Sequence, residues 1–344
     1  MKYNYILNLI LISIFFFSCN NSNSNKNSIE SFFENADTLK GDILIEPINI
    51  FKNAARLYTF KNRIVLSSQI NDGIIQVIDT SSGRTLMTYG KLGRGPNEFL
   101  NPVGFSMNRE SNTFFIWDFY KNELTSYLLN DSINKSKAYT KINLIIQDLK
   151  AINDTTFAIL TFCPDQSLGI IDTNGKFLSR FRYRVINDTR IDYDIDYNNA
   201  YINISPNKKY LAVACNQFAN IQLFSIENNK LNKIWDINYS KFYYSIKDKK
   251  LYRKNRQHVG FESLNISDQF IYVTACDITV GEQRELKNYE EAAVYLLKFD
   301  LDGNFIKSYK FDNRISNITF SPDYKSIFGT ITDEDTYIYK FMLK

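Results

Sequence analysis

One structural phrase recurs along this chain of 344 residues. An apolar run of strand length, a tight Asp/Asn/Gly turn and a second run occur at residues 77–84 (VIDTSSGR), 170–176 (IIDTNGK) and 298–304 (KFDLDGN). Leu86, Phe177 and Phe305 stand in the strand that follows each turn. Glycine or Asn in such short links matches the twist of a β-hairpin. A second phrase precedes the first: NISPN at residues 203–207 ahead of an apolar run at 210–214, and TFSPD at 319–323 ahead of 327–330. Corresponding strand pairs run over residues 57–67, 104–117, 149–161 and 262–274. Aligning the third strand of each unit at Ile74, Leu124, Leu168, Ile221, Val294 and Thr336 gives steps of 50, 44, 53, 73 and 42 residues. A period of about 40–50 residues belongs to four-stranded blades arranged around an axis. The step of 73 marks one insertion.

The expected fold is therefore all-β, a six-bladed β-propeller over residues 41–344. An aromatic content of 15% suits strands, and no amphipathic helix of three turns is legible. The sixth unit reaches Lys344 after only three strands, which would leave an open sheet edge. Residues 43–48 (ILIEPI) form the one unassigned strand, so the last blade is expected to be closed by this N-terminal strand. A large β-sandwich, the alternative, gives no reason for six echoes.

Between the first and second units lies GKLGRGPNEFLNPVG, residues 90–104. Gly90, Gly93, Gly95 and Pro96 prevent a continued strand or a helix start, and Glu98, Phe99 and Pro102 follow at fixed offsets. This wording resembles the inter-blade link of NHL-type propellers, and GxGPNEF resembles the TolB-like six-bladed propellers among Gram-negative lipoproteins. The resemblance implies a scaffold that in many cases mediates interactions. Arg94 and Glu98 are either ligand contacts or the charges that tie the turn together, with Phe99 packed between blades 1 and 2.

The N-terminus reads as an address. Lys2 precedes an apolar run over residues 6–17, broken only by Asn8 and Ser13 and ending at Ser18-Cys19. The run is short for a bilayer span and fits a signal-peptide core. A small residue before Cys resembles the bacterial lipobox, with Phe16 and Phe17 in place of its usual residues. Residues 1–18 are thus expected to be a lipoprotein signal peptide, and Cys19 the lipid attachment site. The alternative is an ordinary signal peptide cut elsewhere. Residues 19–40 are expected to be a flexible tether, because residues 20–28 are nearly all Asn and Ser. The expected location is the cell envelope, anchored to the outer membrane on its periplasmic or outer face.

Candidate chemistry is sparse. A net charge of +4 gives no general argument for nucleic acid, and none is expected as a partner. His258 is the single histidine, which rules out a multi-histidine zinc site; it reads as a solvated loop residue. Asp192, Asp194 and Asp196 begin like a calcium loop, but Tyr197 and Asn203 stand where Gly and Glu are required. Cys163, Cys215 and Cys276 end equivalent strands in three blades and read as small residues at a tapering edge. The turn after each second strand carries Asp72, Asp118, Asp165, Asn216, Asp277 or Asp333, a ring that could hold a cation or a polar ligand at one channel mouth. Asp and Asn are also what turns prefer. Two long links, residues 184–201 and 239–261, open on that face. The second interleaves Lys241, Lys247, Lys249, Lys250, Arg253, Lys254 and Arg256 with Phe242, Tyr243, Tyr244 and Tyr252.

These features point to a monomeric, non-catalytic binding lipoprotein for an envelope protein or glycan, with no cofactor beyond a structural or mouth-bound cation. The alternative is a propeller hydrolase or lyase acting on a glycan or lactone with mouth carboxylates.

Overall fold

The computed structural model describes residues 28–48, 56–67, 72–95, 98–130, 132–138, 142, 144–163, 167–192, 198–286, 292–332 and 336–343. Six antiparallel sheets form the body. Blade 1 holds β3 (Arg56–Phe60), β4 (Arg63–Ser67), β5 (Asp72–Asp79) and β6 (Thr85–Lys91). Blade 2 holds β7 (Pro102–Asn108), β8 (Thr113–Asp118), β9 (Glu123–Leu129) and β10 (Ile133–Ala138). Blade 3 holds β11 (Ile146–Ala151), β12 (Thr156–Thr161), β13 (Leu168–Asp172) and β14 (Phe177–Phe181). Blade 4 holds β15 (Ala200–Ile204), β16 (Tyr210–Cys215), β17 (Asn220–Glu227) and β18 (Lys230–Asn238). A separate hairpin, β19 (Tyr244–Lys247) and β20 (Lys250–Arg253), supplies part of the inserted length, and residues 277–293 within blade 5 supply the rest. Blade 5 holds β21 (Phe261–Ile266), β22 (Phe270–Cys276), β23 (Val294–Asp300) and β24 (Phe305–Phe311). Blade 6 holds β25 (Asn317–Phe320), β26 (Ser326–Thr332) and β27 (Thr336–Met342).

The burial pattern follows from stacking blades face to face. A middle strand is covered by a neighbouring blade on both faces, and the residues of β8 (TFFIWD) and β12 (TFAILT) are all buried. An outer strand keeps only one side covered, so β14 (FLSRF) alternates between half-buried and exposed. The core is accordingly split into six hydrophobic clusters, each lying between two adjacent blades. Leu57, Ile64, Leu66 and Ile78 of blade 1 meet Phe328 and Ile338 of blade 6, which closes the ring.

The repeated turns are built alike. Asp79, Asp172 and Asp300 each accept backbone N–H bonds through Oδ1, from Ser81 and Ser82, from Asn174 and Lys176, and from Asp302 and Asn304. The glycine that ends each turn takes a left-handed φ, +75° at Gly175.

The chain ends are woven into the outer edge. β2 (Gly41–Ile48) pairs antiparallel with β27 as the outermost strand of blade 6, and Leu44 and Ile45 pack towards the blade 1–6 cluster. Just before it, β1 (Asp37–Leu39) adds a fifth, parallel strand to blade 5 beside β24. A single helical turn, α1 (Ile29–Phe32), buries Ile29 and Phe32 between blades 4 and 5. Residues 28–40, assigned by composition to the tether, are therefore part of the packed body. Their apolar residues Ile29, Phe32, Phe33 and Leu39 are all buried. α2 (Val280–Glu285) is the other described helix, started by a capping box of Thr279 and Glu282. Among the described residues, no helix is long and apolar enough to cross a membrane.

Candidate functional site

The first strand of each blade faces the ring axis, and together these six strands enclose a cavity of about 440 Å³. Along each of them alternate residues point to the axis, and many of those are polar: Arg56 and Tyr58, Ser106, Asp148 and Lys150, Tyr201 and Asn203, Glu262, Asn317 and Thr319. The size lies within the range of small-molecule sites, about 300–1,000 Å³.

Its chemical centre joins blades 1 and 3. Arg56 Nη1 donates to Asp148 Oδ1 at 2.7 Å, and Lys150 Nζ donates to the same oxygen at 3.0 Å. Lys150 also donates to Tyr58 OH at 3.1 Å, and Tyr58 donates to the Phe105 carbonyl. Leu149 N–H gives Asp148 Oδ1 a further bond at 2.9 Å. Side-chain exposure is 6% for Asp148 and 10% for Lys150, against 35% for Arg56, which opens onto the cavity. Burial alone would push the Asp148 carboxyl up, but the charges of Lys150 and Arg56 outweigh it and hold the group below its usual range. Burial would likewise pull the Lys150 ammonium down, yet Asp148 outweighs it and the group stays raised.

Glu262 also lines the cavity and is held by Arg314 Nη2 at 3.1 Å. At the opposite end, near the Ser205–Lys208 turn, lie Arg109, Glu110, Lys208 and Tyr324. Burial lowers the Lys208 ammonium against the opposing pull of Glu110. Burial pushes the Tyr324 hydroxyl, which donates to the Ile266 carbonyl at 2.9 Å, up to about 12.

The residues singled out from the turns do other work. Asp118 is buried, and its carboxylate accepts N–H bonds from Leu100 at 2.7 Å, Asn101 at 3.1 Å and Lys121 at 3.2 Å. It anchors the inter-blade link. Asn216 donates to Tyr201 OH and to the Phe261 carbonyl, at 3.4 and 3.3 Å, joining blade 4 to blade 5. Asp277 is half exposed, with His258 Nε2 3.7 Å from its Oδ1. None of these three lines the cavity. Asp72 begins β5, and its side chain is outside the described set, as are Asp165 and Asp333.

In the glycine-rich link, Gly95 N–H donates to Glu98 Oε2 at 2.6 Å, and Lys91 Nζ lies 3.1 Å from Oε1. Phe99 is buried with Ile74, Phe105 and Tyr127 between blades 1 and 2. Gly90 has φ +78°, and a Cβ there would stand 2.7 Å from the Phe99 ring. Gly93 sits against the Glu98 carboxylate, and Pro102 pairs with Asp118. Arg94 is exposed, and Pro96 lies outside the described residues. The link is a structural clasp, and the cavity lining includes none of it.

His258 is a correction to the reading of a solvated loop. It is buried, its Nδ1 lies 2.9 Å from the Val259 carbonyl, and its ring stacks on Phe33 at 5.5 Å. The polar neighbours Lys254, Arg256 and Gln257 concealed this, because the partner ring comes from the N-terminal segment. Cys215 and Cys276 are buried thiols pushed up to about 11 and about 12, in each case mainly by burial; Cys163 is half-buried. Among the described residues no three His, Cys, Asp or Glu side chains converge as a metal site. The two long links pack on each other: Asp192 N–H donates to the Lys249 carbonyl at 3.0 Å and Tyr244 OH to Asp188 at 3.2 Å. Residues 193–197, with Asp194 and Asp196, lie outside the described set.

The family profile described as TolB-like 6-blade propeller-like matches residues 21–323. No curated protein matches the sequence. Among solved structures, a member of the DUF4221 family from Bacteroides vulgatus is similar over 90% of this chain and 97% of its own, with a TM-score of 0.57 and 11% identity. A Bacteroides fragilis protein inferred to be exported is similar over 92% of this chain and 97% of its own, with a TM-score of 0.57 and 10% identity. At these identities the likeness is one of fold.

Proposed function

This chain belongs to the TolB-like six-blade propeller family, and we propose that it is an exported, lipid-anchored protein that binds a small envelope ligand, such as a glycan fragment, in its axial cavity without transforming it. The observation that carries this reading is the cavity itself, about 440 Å³ and lined from all six blades by side chains of mixed polarity. Six rigid strands hold those groups, so a ligand meets a preformed site. A hydrolase or lyase with carboxylate catalysis would need an acid ready to give up a proton near neutrality. Asp148 is instead held ionised by two cations, Glu262 is bonded to Arg314, and the third lining carboxylate, Glu110, lies at the opposite end beside Lys208. The apolar run before Cys19 supports export and anchoring at Cys19.

Two measurements test the reading. In detergent phase partitioning of cells making the full chain, the wild type is expected in the detergent phase and Cys19→Ala in the aqueous phase. Equal partitioning of the two would remove the anchor. A thermal-shift screen of envelope glycan fragments and small polar metabolites should yield stabilising ligands that are recovered chemically unchanged. A ligand returned as cleaved product would turn the reading into that of an enzyme.

A further inference from the structure

We propose that the ligand of the axial cavity is an anion, a small molecule whose carboxylate or phosphate is held by Arg56 and Lys150. The inference rests on the cavity-binding reading above and adds the chemical class of the ligand.

The cavity carries an excess of positive charge. Among the described residues, four cations line the cavity, Arg56, Arg109, Lys150 and Lys208, against three carboxylates, Glu110, Asp148 and Glu262. Glu262 is already occupied by Arg314, which lies outside the lining. At the blade 1–3 centre a single carboxylate answers two cations, and both converge on the same oxygen, Asp148 Oδ1. That leaves a net positive charge in a cavity partly shielded from water, where an unbalanced charge costs more than in bulk solvent. An anionic ligand removes that cost on entry, whereas a neutral one leaves it in place.

The two cations are also placed to receive an anion. Of the five guanidinium donors of Arg56, only Nη1 is committed among the described residues, while 35% of the side chain is open to the cavity. A guanidinium with a free edge is a planar fork that fits a carboxylate or phosphate through two parallel N–H bonds. Asp148 and the Lys150–Tyr58 bond fix the position of the second cation, so little side-chain freedom remains to be lost. The same cations repel a metal ion.

The test is isothermal titration of the mature chain with glucuronate, glucose 6-phosphate and glucose. Both anions are expected to bind, the uncharged sugar to bind at least about tenfold more weakly, and added salt to weaken the anions. The ratio of the two anion affinities separates a carboxylate source from a phosphate source. Arg56→Gln and Lys150→Met should each weaken anion binding by about tenfold or more, and Lys254→Gln, an exposed lysine on the link to blade 5, by less than about twofold. If Arg56→Gln fails to fold, as judged by circular dichroism, Arg56→Lys keeps the charge, loses the fork and should still weaken binding. Glucose binding as tightly as glucuronate would overturn the anion inference and leave cavity binding standing. Anion binding indifferent to the Arg56 and Lys150 substitutions, or no binding of either anion up to about 10 mM, would also overturn it. A bound ligand indifferent to Asn317→Trp, which fills the cavity from blade 6, would instead remove the cavity reading.

Discussion

Asp148→Ala is expected to cost about 3 kcal/mol of folding stability in urea denaturation at pH 7, the low end for breaking a buried ion pair. The low end applies because Arg56 retains a third of its side-chain surface open to the cavity, at 35%. The loss arises less from the missing bonds than from Lys150, only 10% exposed, left without its carboxylate. Adding Lys150→Met to Asp148→Ala should therefore recover more than half of the loss, a non-additivity that two independent sites would not give. The pH dependence has a defined sign. Asp148 is held below its usual pKa in the folded state. Its contribution is complete above the unfolded value of about 3.9 and is lost as pH falls through the folded one. The gap between wild type and Asp148→Ala should be constant from neutrality to about pH 5 and close only in stronger acid. A gap that closed near pH 6 would assign the stabilisation to another group.

Phe32→Ala is expected to cost about 3–5 kcal/mol, the range for deleting a fully buried aromatic ring. Phe32 has no exposed surface; it stacks on Phe305 with ring centroids 4.1 Å apart and meets Phe299 and Tyr239 edge-on at 5.6 and 5.7 Å. The main chain joins in, since Ile29 N–H donates to the Tyr239 carbonyl at 2.7 Å. Were residues 28–40 a tether, the substitution would leave the urea midpoint unchanged. Because the segment wedges between blades 4 and 5, its loss should lower the midpoint with little change in slope.

These two sites mark where sequence reasoning ran short. The ring was legible because a blade is a local unit: Asp79, Asp172 and Asp300 cap equivalent turns, and Ser205-Pro206 and Ser321-Pro322 open equivalent ones. Local chemistry repeats, so its period can be read. The cavity was not legible in that way. Arg56, Lys150 and Asp148 are drawn together from blades 1 and 3, and in a lysine-rich chain a lone Lys150 carries no signal. The usable clue was alternation, a charged residue at every second position of an inner strand, as in Asp148-Leu149-Lys150. The Asn/Ser-rich run hid the start of the packed segment, because two apolar anchors, Ile29 and Phe32, are too few to stand out. Asp118, Asn216 and Asp277 do fall in or beside the turns after the second strands, as the alignment required. Asp118 is placed there by capping the inter-blade link and Asn216 by joining blade 4 to blade 5, while Asp277 stands beside His258.

Whether the protein works through its axis is decided by ligand affinity in two variants. In Asn317→Trp, which narrows the cavity, binding of any ligand found for the wild type is expected to fall at least about tenfold. In Asp277→Asn, which alters the rim outside the cavity, affinity is expected to stay within about twofold of the wild type. Binding kept in the first variant and lost in the second would contradict the account and return the site to the turns at the rim.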